Sequence, residues 1–227
     1  MLQNNFFCKS PYINLYDKPS YNSKISSQIL YGEKFRILLK KNKFIKVKTS
    51  YDNYIGYIKS SNYINKFRPT HKISVLKSRI FKYPKNLEKY RSKKFLSFSS
   101  KIQIIKKNKN FVMFDKNKWL NIKDTKLINQ KEIDFLKILK LFLKCKYKWG
   151  GKTFSGIDCS ALVQIFYQYN EKYMSNLDNS WNLIYQYALQ KKQNLIFQNL
   201  LCILQSPFLS KVCNRLYKIC ISAFIHL

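Results

Sequence analysis

The chain has 227 residues, of which 46% are hydrophobic, and a formal net charge of +32. That apolar share supports more than one small core; no run of eighteen apolar residues marks a membrane span, and Met1 to Ser10 lacks the extended hydrophobic stretch of a secretory signal. Basicity alone points to anionic partners. Lysine, however, outnumbers arginine 38 to 5 and is spread evenly among Asn, Ile, Phe and Tyr, as AT-rich codon use produces, so no specific nucleic-acid partner is expected. Six cysteines without regular spacing fit a reducing compartment, and a cytoplasmic location is the expectation.

From residue 11 to 66 the chain reads as short strands: Ile25 to Leu30, Phe35 to Leu38, Phe44 to Val47 and Tyr54 to Ile58. The separators, Tyr31-Gly-Glu33, Lys40 to Lys43 and Thr49 to Asn53, have the lengths of hairpin connections in a small barrel. The same writing recurs: Lys34 to Val47 aligns without gaps to Lys101 to Phe114 at an offset of 67. Two copies of one β domain are therefore expected. The first resembles bacterial SH3-like domains, through Leu30-Tyr-Gly-Glu33 and Asp52-Asn-Tyr-Ile-Gly-Tyr-Ile58. The second is looser, keeping Arg79-Ile-Phe-Lys-Tyr-Pro84 and Lys118-Trp-Leu120 but no glycine, with His71 in the connection between the copies.

Next, Ile133, Leu136, Ile138, Leu139, Leu141, Phe142 and Leu143 recur at helical spacing, with lysines opposite. This predicts one amphipathic helix over Lys131 to Cys145, capped by Asn129, with Glu132 and Asp134 at the positive end of its dipole. A domain boundary then falls near residue 128.

Three of the five glycines lie in the stretch that follows, Tyr147-Lys-Trp-Gly-Gly151 and then Asp158-Cys-Ser-Ala-Leu-Val-Gln164. The glycines mark a loop, and the apolar run from Ala161 to Phe166 marks a buried helix that begins near Cys159. A thiol at a helix start is favoured as thiolate, the nucleophilic species, by unpaired N–H groups and aligned peptide dipoles. Cys159 is thus a candidate nucleophile; a small buried cysteine packing beside Leu162 is the plainer alternative.

The pattern resembles the NlpC-type cell-wall cysteine peptidases over roughly Lys131 to Gln168, departing from it at Ala161, where glycine is usual. The resemblance implies an α+β fold: two small SH3-like β-barrels, residues 1–68 and 69–128, then a papain-like peptidase domain, 129–227. It implies that Cys159 attacks an amide carbonyl, that Tyr147 lies beside the thiolate, and that Asp158 and Ser160 hold the free amino end of the substrate. It also implies that the first barrel blocks one end of the cleft, with Tyr54 its residue nearest the site. On the residues alone, Asp158 reads equally as a helix cap, Ser160 as a first-turn residue, Tyr147 as a core aromatic, Tyr54 as a surface aromatic, and Tyr31 and Glu33 as turn residues. The implied activity is hydrolysis of the γ-D-glutamyl to diamino-acid bond in peptidoglycan stem peptides during wall recycling in a bacterium, without cofactor or metal.

Beyond Asn170 the resemblance fades. Residues 157–227 contain no glycine, whereas the family carries Gly-Asp-Leu and Gly-His-Val there, and the two histidines of the chain, His71 and His226, stand outside its pattern. His226 is the candidate base, on a short terminal strand. Asp178 reads as a loop residue; Trp181 to Gln190 and Leu195 to Leu204 suggest short helices. Cys202, Cys213 and Cys220 are not spaced as zinc ligands and read as apolar filler. A shifted frame, a truncation or real divergence would each produce such a tail. A non-catalytic remnant that binds wall peptides through its SH3-like domains is the alternative function.

Overall fold

Alternation of inward apolar and outward lysine residues builds the first part of the molecule. In the computed structural model, which describes residues 5–41, 43–59, 63–82 and 91–171, seven antiparallel strands form one sheet. They are β1 (Asn5–Cys8), β2 (Tyr12–Tyr16), β3 (Ile25–Leu30), β4 (Lys34–Lys41), β5 (Phe44–Thr49), β6 (Ile55–Lys59) and β7 (Tyr63–Ile64). Their spatial order is β3-β2-β6-β5-β4-β1-β7. In β5, Ile45 and Val47 point inward while Lys46 and Lys48 stay out, the period of two that a one-sided sheet requires. The inward residues meet in one core of Cys8, Ile13, Leu15, Ile29, Phe35, Ile45, Val47 and Ile58. Burying each of the larger ones contributes roughly 1.5–3 kcal/mol before entropy is counted. All four runs read as strands are strands, and Ile25–Leu30 has the expected bounds.

The offset of 67 is visible in the hydrogen-bond register of the second part. Its strands are β8 (His71–Ile73), β9 (Lys77–Phe81), β10 (Arg91–Ser97), β11 (Lys101–Ile102), β12 (Lys106–Asn108), β13 (Phe111–Asp115), β14 (Lys118–Asn121) and β15 (Thr125–Leu127). Lys41 faces Phe44, Lys40 faces Ile45 and Leu39 faces Lys46 in β4–β5. The residues 67 further on, Asn108 and Phe111, Lys107 and Val112, and Lys106 and Met113, face each other in β12–β13. The preceding turn repeats as well: Glu33 N–H bonds Leu30 O at 3.0 Å, and Ser100 N–H bonds Ser97 O at 3.1 Å. Gly32 and Ser99, at its corner, share the left-handed conformation, with φ of 72° and 68°.

Two features depart from two separate barrels. Residues 103–105 interrupt what is one strand in the first copy, so the second copy divides into a five-stranded sheet, β10-β9-β14-β13-β12, and a three-stranded one, β11-β8-β15. Tyr31, read as a turn residue, is buried in the second core with Ile73, Leu96, Ile102, Val112 and Leu120. His71, expected in a linker, opens β8 and pairs with Ile102 and Leu127.

Gly32 shows how closely the copies approach. A Cβ there would stand 2.2 Å from Lys101 O. Ser99 carries a side chain at the same φ, so contact rather than conformation forbids one at Gly32. Gly32→Ala is expected to destabilise by about 2–3 kcal/mol, measured by urea unfolding.

Two helices follow, α1 (Phe135–Phe142) and α2 (Cys159–Tyr169), with a hairpin of β16 (Lys152–Thr153) and β17 (Gly156–Ile157) between them. The described residues lie in one compact unit, Met1–Leu177. α1 is shorter than the expected Lys131 to Cys145, and Asn129 does not cap it. Glu132 is the physical reason, because the Asn170 amide side chain engages its N–H at 2.8 Å and its carbonyl at 3.0 Å, holding the chain off the helical path. The helix starts at Phe135, where Asp134 accepts from Lys137 N–H. Phe135, Ile138, Leu139 and Phe142 are buried, whereas Ile133, before the helix, is 84% exposed.

Lys72 is buried on β8 beside the end of α2. Its ammonium donates to Ile128 O at 2.9 Å and to Tyr169 O, and lies 4.1 Å from the Tyr169 ring centre. Burial, reinforced by Lys101 and Lys131 against the pull of Glu171, pushes it down to about 8. An unfolded lysine titrates near about 10.4, so between those values the unfolded chain holds more protons and stability rises with pH. Unfolding midpoints from pH 7.5 to 10.5 are expected to rise more steeply in the parent than in Lys72→Met, by on the order of 1–3 kcal/mol across the window.

Candidate active site

The geometry around Cys159 begins with the glycine loop. Tyr147 forms an isolated parallel bridge with Ile157. Ile157 N–H bonds Lys146 O at 3.1 Å, and Lys148 N–H bonds Ile157 O at 3.2 Å. Backbone pairing therefore holds Tyr147 beside the residue two before Cys159, and its side chain is 39% exposed. Gly151 O accepts Asp158 N–H at 3.1 Å, which brings the loop back onto the helix start. No side chain fits at Gly151, where a Cβ would meet Gly156 O at 2.5 Å.

Cys159 is the first residue of α2, as the apolar pattern predicted. Asp158 is the N-cap, in an extended conformation (φ −95°, ψ 170°). Its Oδ1 accepts Ala161 N–H and the Ser160 hydroxyl, both at 2.7 Å, and its Oδ2 accepts Gly150 N–H at 2.9 Å. One carboxylate thus caps the helix and ties the loop to it, so the cap reading of Asp158 and the first-turn reading of Ser160 are both realised. Burial raises the Asp158 carboxyl, against the opposing effect of these three bonds and of Lys152. Ala161, the departure from the family pattern, is buried with Leu162, Val163 and Ile165.

The loop and the helix are both fastened to the seven-stranded sheet. Gly150 has φ 65°, and a Cβ there would meet Ile25 O, on β3, at 2.4 Å. The Lys152 N–H donates to Gln28 Oε1 at 2.9 Å. The Lys152 ammonium, 1% exposed, lies 3.1 Å from Glu33 Oε1 and 3.2 Å from Asp52 Oδ2. The other oxygen of Glu33 accepts Leu30 N–H at 2.9 Å and Gln168 Nε2 at 3.2 Å. Burial alone would lower Lys152, but Asp52 and Glu33 together outweigh it and the ammonium is held above its usual range. Glu33 is raised, because burial exceeds the pull of Lys152 on it.

Tyr54 stands at the same junction, its hydroxyl accepting from Gln164 Nε2 of α2 at 3.4 Å. The structure therefore brings Tyr147, Asp158, Ser160 and Tyr54 to the loop and helix that Cys159 heads. His226, Asp178, Cys202, Cys213 and Cys220 lie outside the described residues. His71 is on β8, its Nδ1 3.0 Å from Thr70 Oγ1, and burial ahead of Lys107 lowers it. Among the described residues there is no cluster of metal-ligating side chains and no helix long and apolar enough to cross a membrane.

Sequence reading missed Glu33, Asp52, Lys152, Gln28 and Gln168. Glu33 was legible only as a turn residue, and Lys152 is one lysine among 38. The usable signal was Leu30-Tyr-Gly-Glu33, where an acid follows a tight turn directly after an apolar strand.

A β-rich molecule with a capped, cysteine-headed helix after a glycine loop is the class defined by these features, and comparison with known proteins places it. Residues 144–199 match the NlpC/P60 family, and residues 15–62 match the bacterial dipeptidyl-peptidase SH3 domain. Among solved structures, an NlpC/P60 family protein from Bacillus cereus ATCC 10987 superposes with a TM-score of 0.62 at 16% identity, covering 73% of this chain and 72% of that one. NlpC2 and NlpC1 from Trichomonas vaginalis align at 18% and 17% identity, both with a TM-score of 0.30, covering 76% and 77% of this chain and 68% and 66% of theirs. No curated protein matches. The chain carries a bacterial SH3 domain followed by an NlpC/P60 domain, and that family suggests a cell-wall peptidase of the cysteine class.

Proposed function

We propose that this chain is a cysteine peptidase that cleaves the γ-D-glutamyl to diamino-acid amide bond of short peptidoglycan-derived peptides. The observation that carries it is the Asp158-capped helix that Cys159 opens, inside the segment that matches the family. In this reading the Cys159 thiolate attacks the amide carbonyl and first-turn amides hold the oxyanion. The thiol proton passes to a histidine, for which His226 is the candidate, and from there to the leaving amine; water then releases the acyl group. Tyr147 lies beside the thiolate. Asp158, Ser160 and Tyr54 receive the free amino end, for which a buried carboxylate is chemically suited.

The repeated register supports a division into SH3-like domains at 1–68 and 69–128, ahead of the peptidase domain at 129–227. In this reading the enzyme works on recycled wall peptides in the bacterial cytoplasm. Purified protein is expected to hydrolyse L-alanyl-γ-D-glutamyl-diaminopimelate on the order of a thousandfold faster than Cys159→Ser. Turnover equal to that control overturns the reading. His71 is bonded to Thr70 and residues 157–227 lack glycine, which favours, as the second reading, a remnant that binds such peptides without cleaving them.

A further inference from the structure

The strongest unassigned feature is the buried ion group beneath the glycine loop. Glu33, Asp52 and Lys152 are 0%, 4% and 1% exposed, so none of the three charges is solvated by bulk water. Replacing such a group by uncharged residues is often neutral for stability, whereas removing one member is not. What the group can supply is one fixed geometry.

The bonds that lead from it say which geometry. Lys152 pairs through its backbone with Ile157, Gly151 O holds Asp158 N–H, and Asp158 caps the helix. From the ammonium to Cys159 the path is a hairpin ladder and a capped turn. On the other side, Glu33 holds Gln168 of the same helix with its second oxygen. A single carboxylate of the sheet therefore grips α2 at its start, through Lys152, and again near its end.

We propose that Lys152 is a positioning residue: its buried ammonium, held between Glu33 and Asp52, fixes the glycine loop and the start of the Cys159 helix against β3 of the seven-stranded sheet. The catalytic consequence rests on the function proposed above; the positioning itself does not. This joint, together with the Tyr54–Gln164 bond, holds Tyr54 on the sheet side in relation to the Cys159 helix.

The test uses the full chain. Lys152→Met alone leaves two unpaired buried carboxylates and is liable to unfold, so the decisive variant is Lys152→Met with Glu33→Gln and Asp52→Asn, which carries no charge at the joint. Amide hydrogen exchange is expected to leave the core positions Ile45, Val47 and Ile58 protected as in the parent, while the Lys152 amide exchanges about tenfold faster or more. Alkylation of Cys159 by iodoacetamide, which needs only the thiol, is expected to stay within about threefold, while kcat for peptide hydrolysis, which needs both sides of the joint, falls by on the order of ten- to a hundredfold. Unchanged exchange at Lys152 overturns the proposal, as does equal loss of protection at Lys152 and in the core, which would make the group a general stabiliser. If the parent hydrolyses nothing, the peptidase reading falls and the exchange comparison still decides the role of Lys152.

Discussion

Iodoacetamide at pH 7 is expected to modify Cys159 on the order of a hundredfold faster than Cys8. Cys8 is fully buried in the first core and its Sγ contacts Ser10 O at 3.2 Å; burial pushes its thiol far above the ordinary range. Cys145 is also raised by burial, and its Sγ faces Phe154 O. An ordinary thiol is only a few per cent ionised at pH 7, and a helix start favours the thiolate and so raises that fraction. The burial of Cys8 supplies the rest of the difference. The check is peptide mapping of alkylated protein from pH 5 to 9. A midpoint for Cys159 at or above the ordinary value of about 8.5 would remove the basis for calling it the nucleophile.

Lys152→Met is expected to cost about 3–5 kcal/mol of stability, the range found when one partner of a buried ion group is deleted. Its pH dependence distinguishes this cause from lost packing. The Lys152 ammonium is held above its usual range, so its contribution is fully present below about pH 10.4 and disappears only in stronger alkali. The gap between parent and variant should therefore stay level from neutral pH to about 10 and narrow above it. It should also narrow in acid, where the stranded Glu33, already raised by burial, takes up a proton and ceases to be a buried charge. Urea midpoints across pH 4 to 11 would show both limbs, and a gap independent of pH would mean that only the packing of the lysine stem was lost.

Much of the site and of the strand layout was legible because both are written in near neighbours. Ile45 and Val47 alternate with Lys46 and Lys48, and that period of two is sufficient to make a one-faced strand. Asp158 followed by Cys159, Ser160 and an apolar run contains its own cap and its own buried face, so the helix start was fixed locally. The offset of 67 predicted a repeated hairpin, and the register of Lys40 with Ile45 and of Lys107 with Val112 reproduces it.

Tertiary structure decided what no local pattern encodes. α1 begins at Phe135 because Asn170 occupies the backbone of Glu132, a partner 38 residues away. Tyr31 leaves its own turn for the core of the other copy. Glu33 and Lys152 meet across 119 positions, and a single acid and a single lysine so far apart leave no periodicity to read. The sequence by itself determined the strands, the repeat and a helix headed by Cys159, since each depends on contacts within a few residues. Only the folded chain decided that this helix is locked to the first sheet by a buried ammonium, because the pairing of distant charges is set by which surfaces the cores bring together.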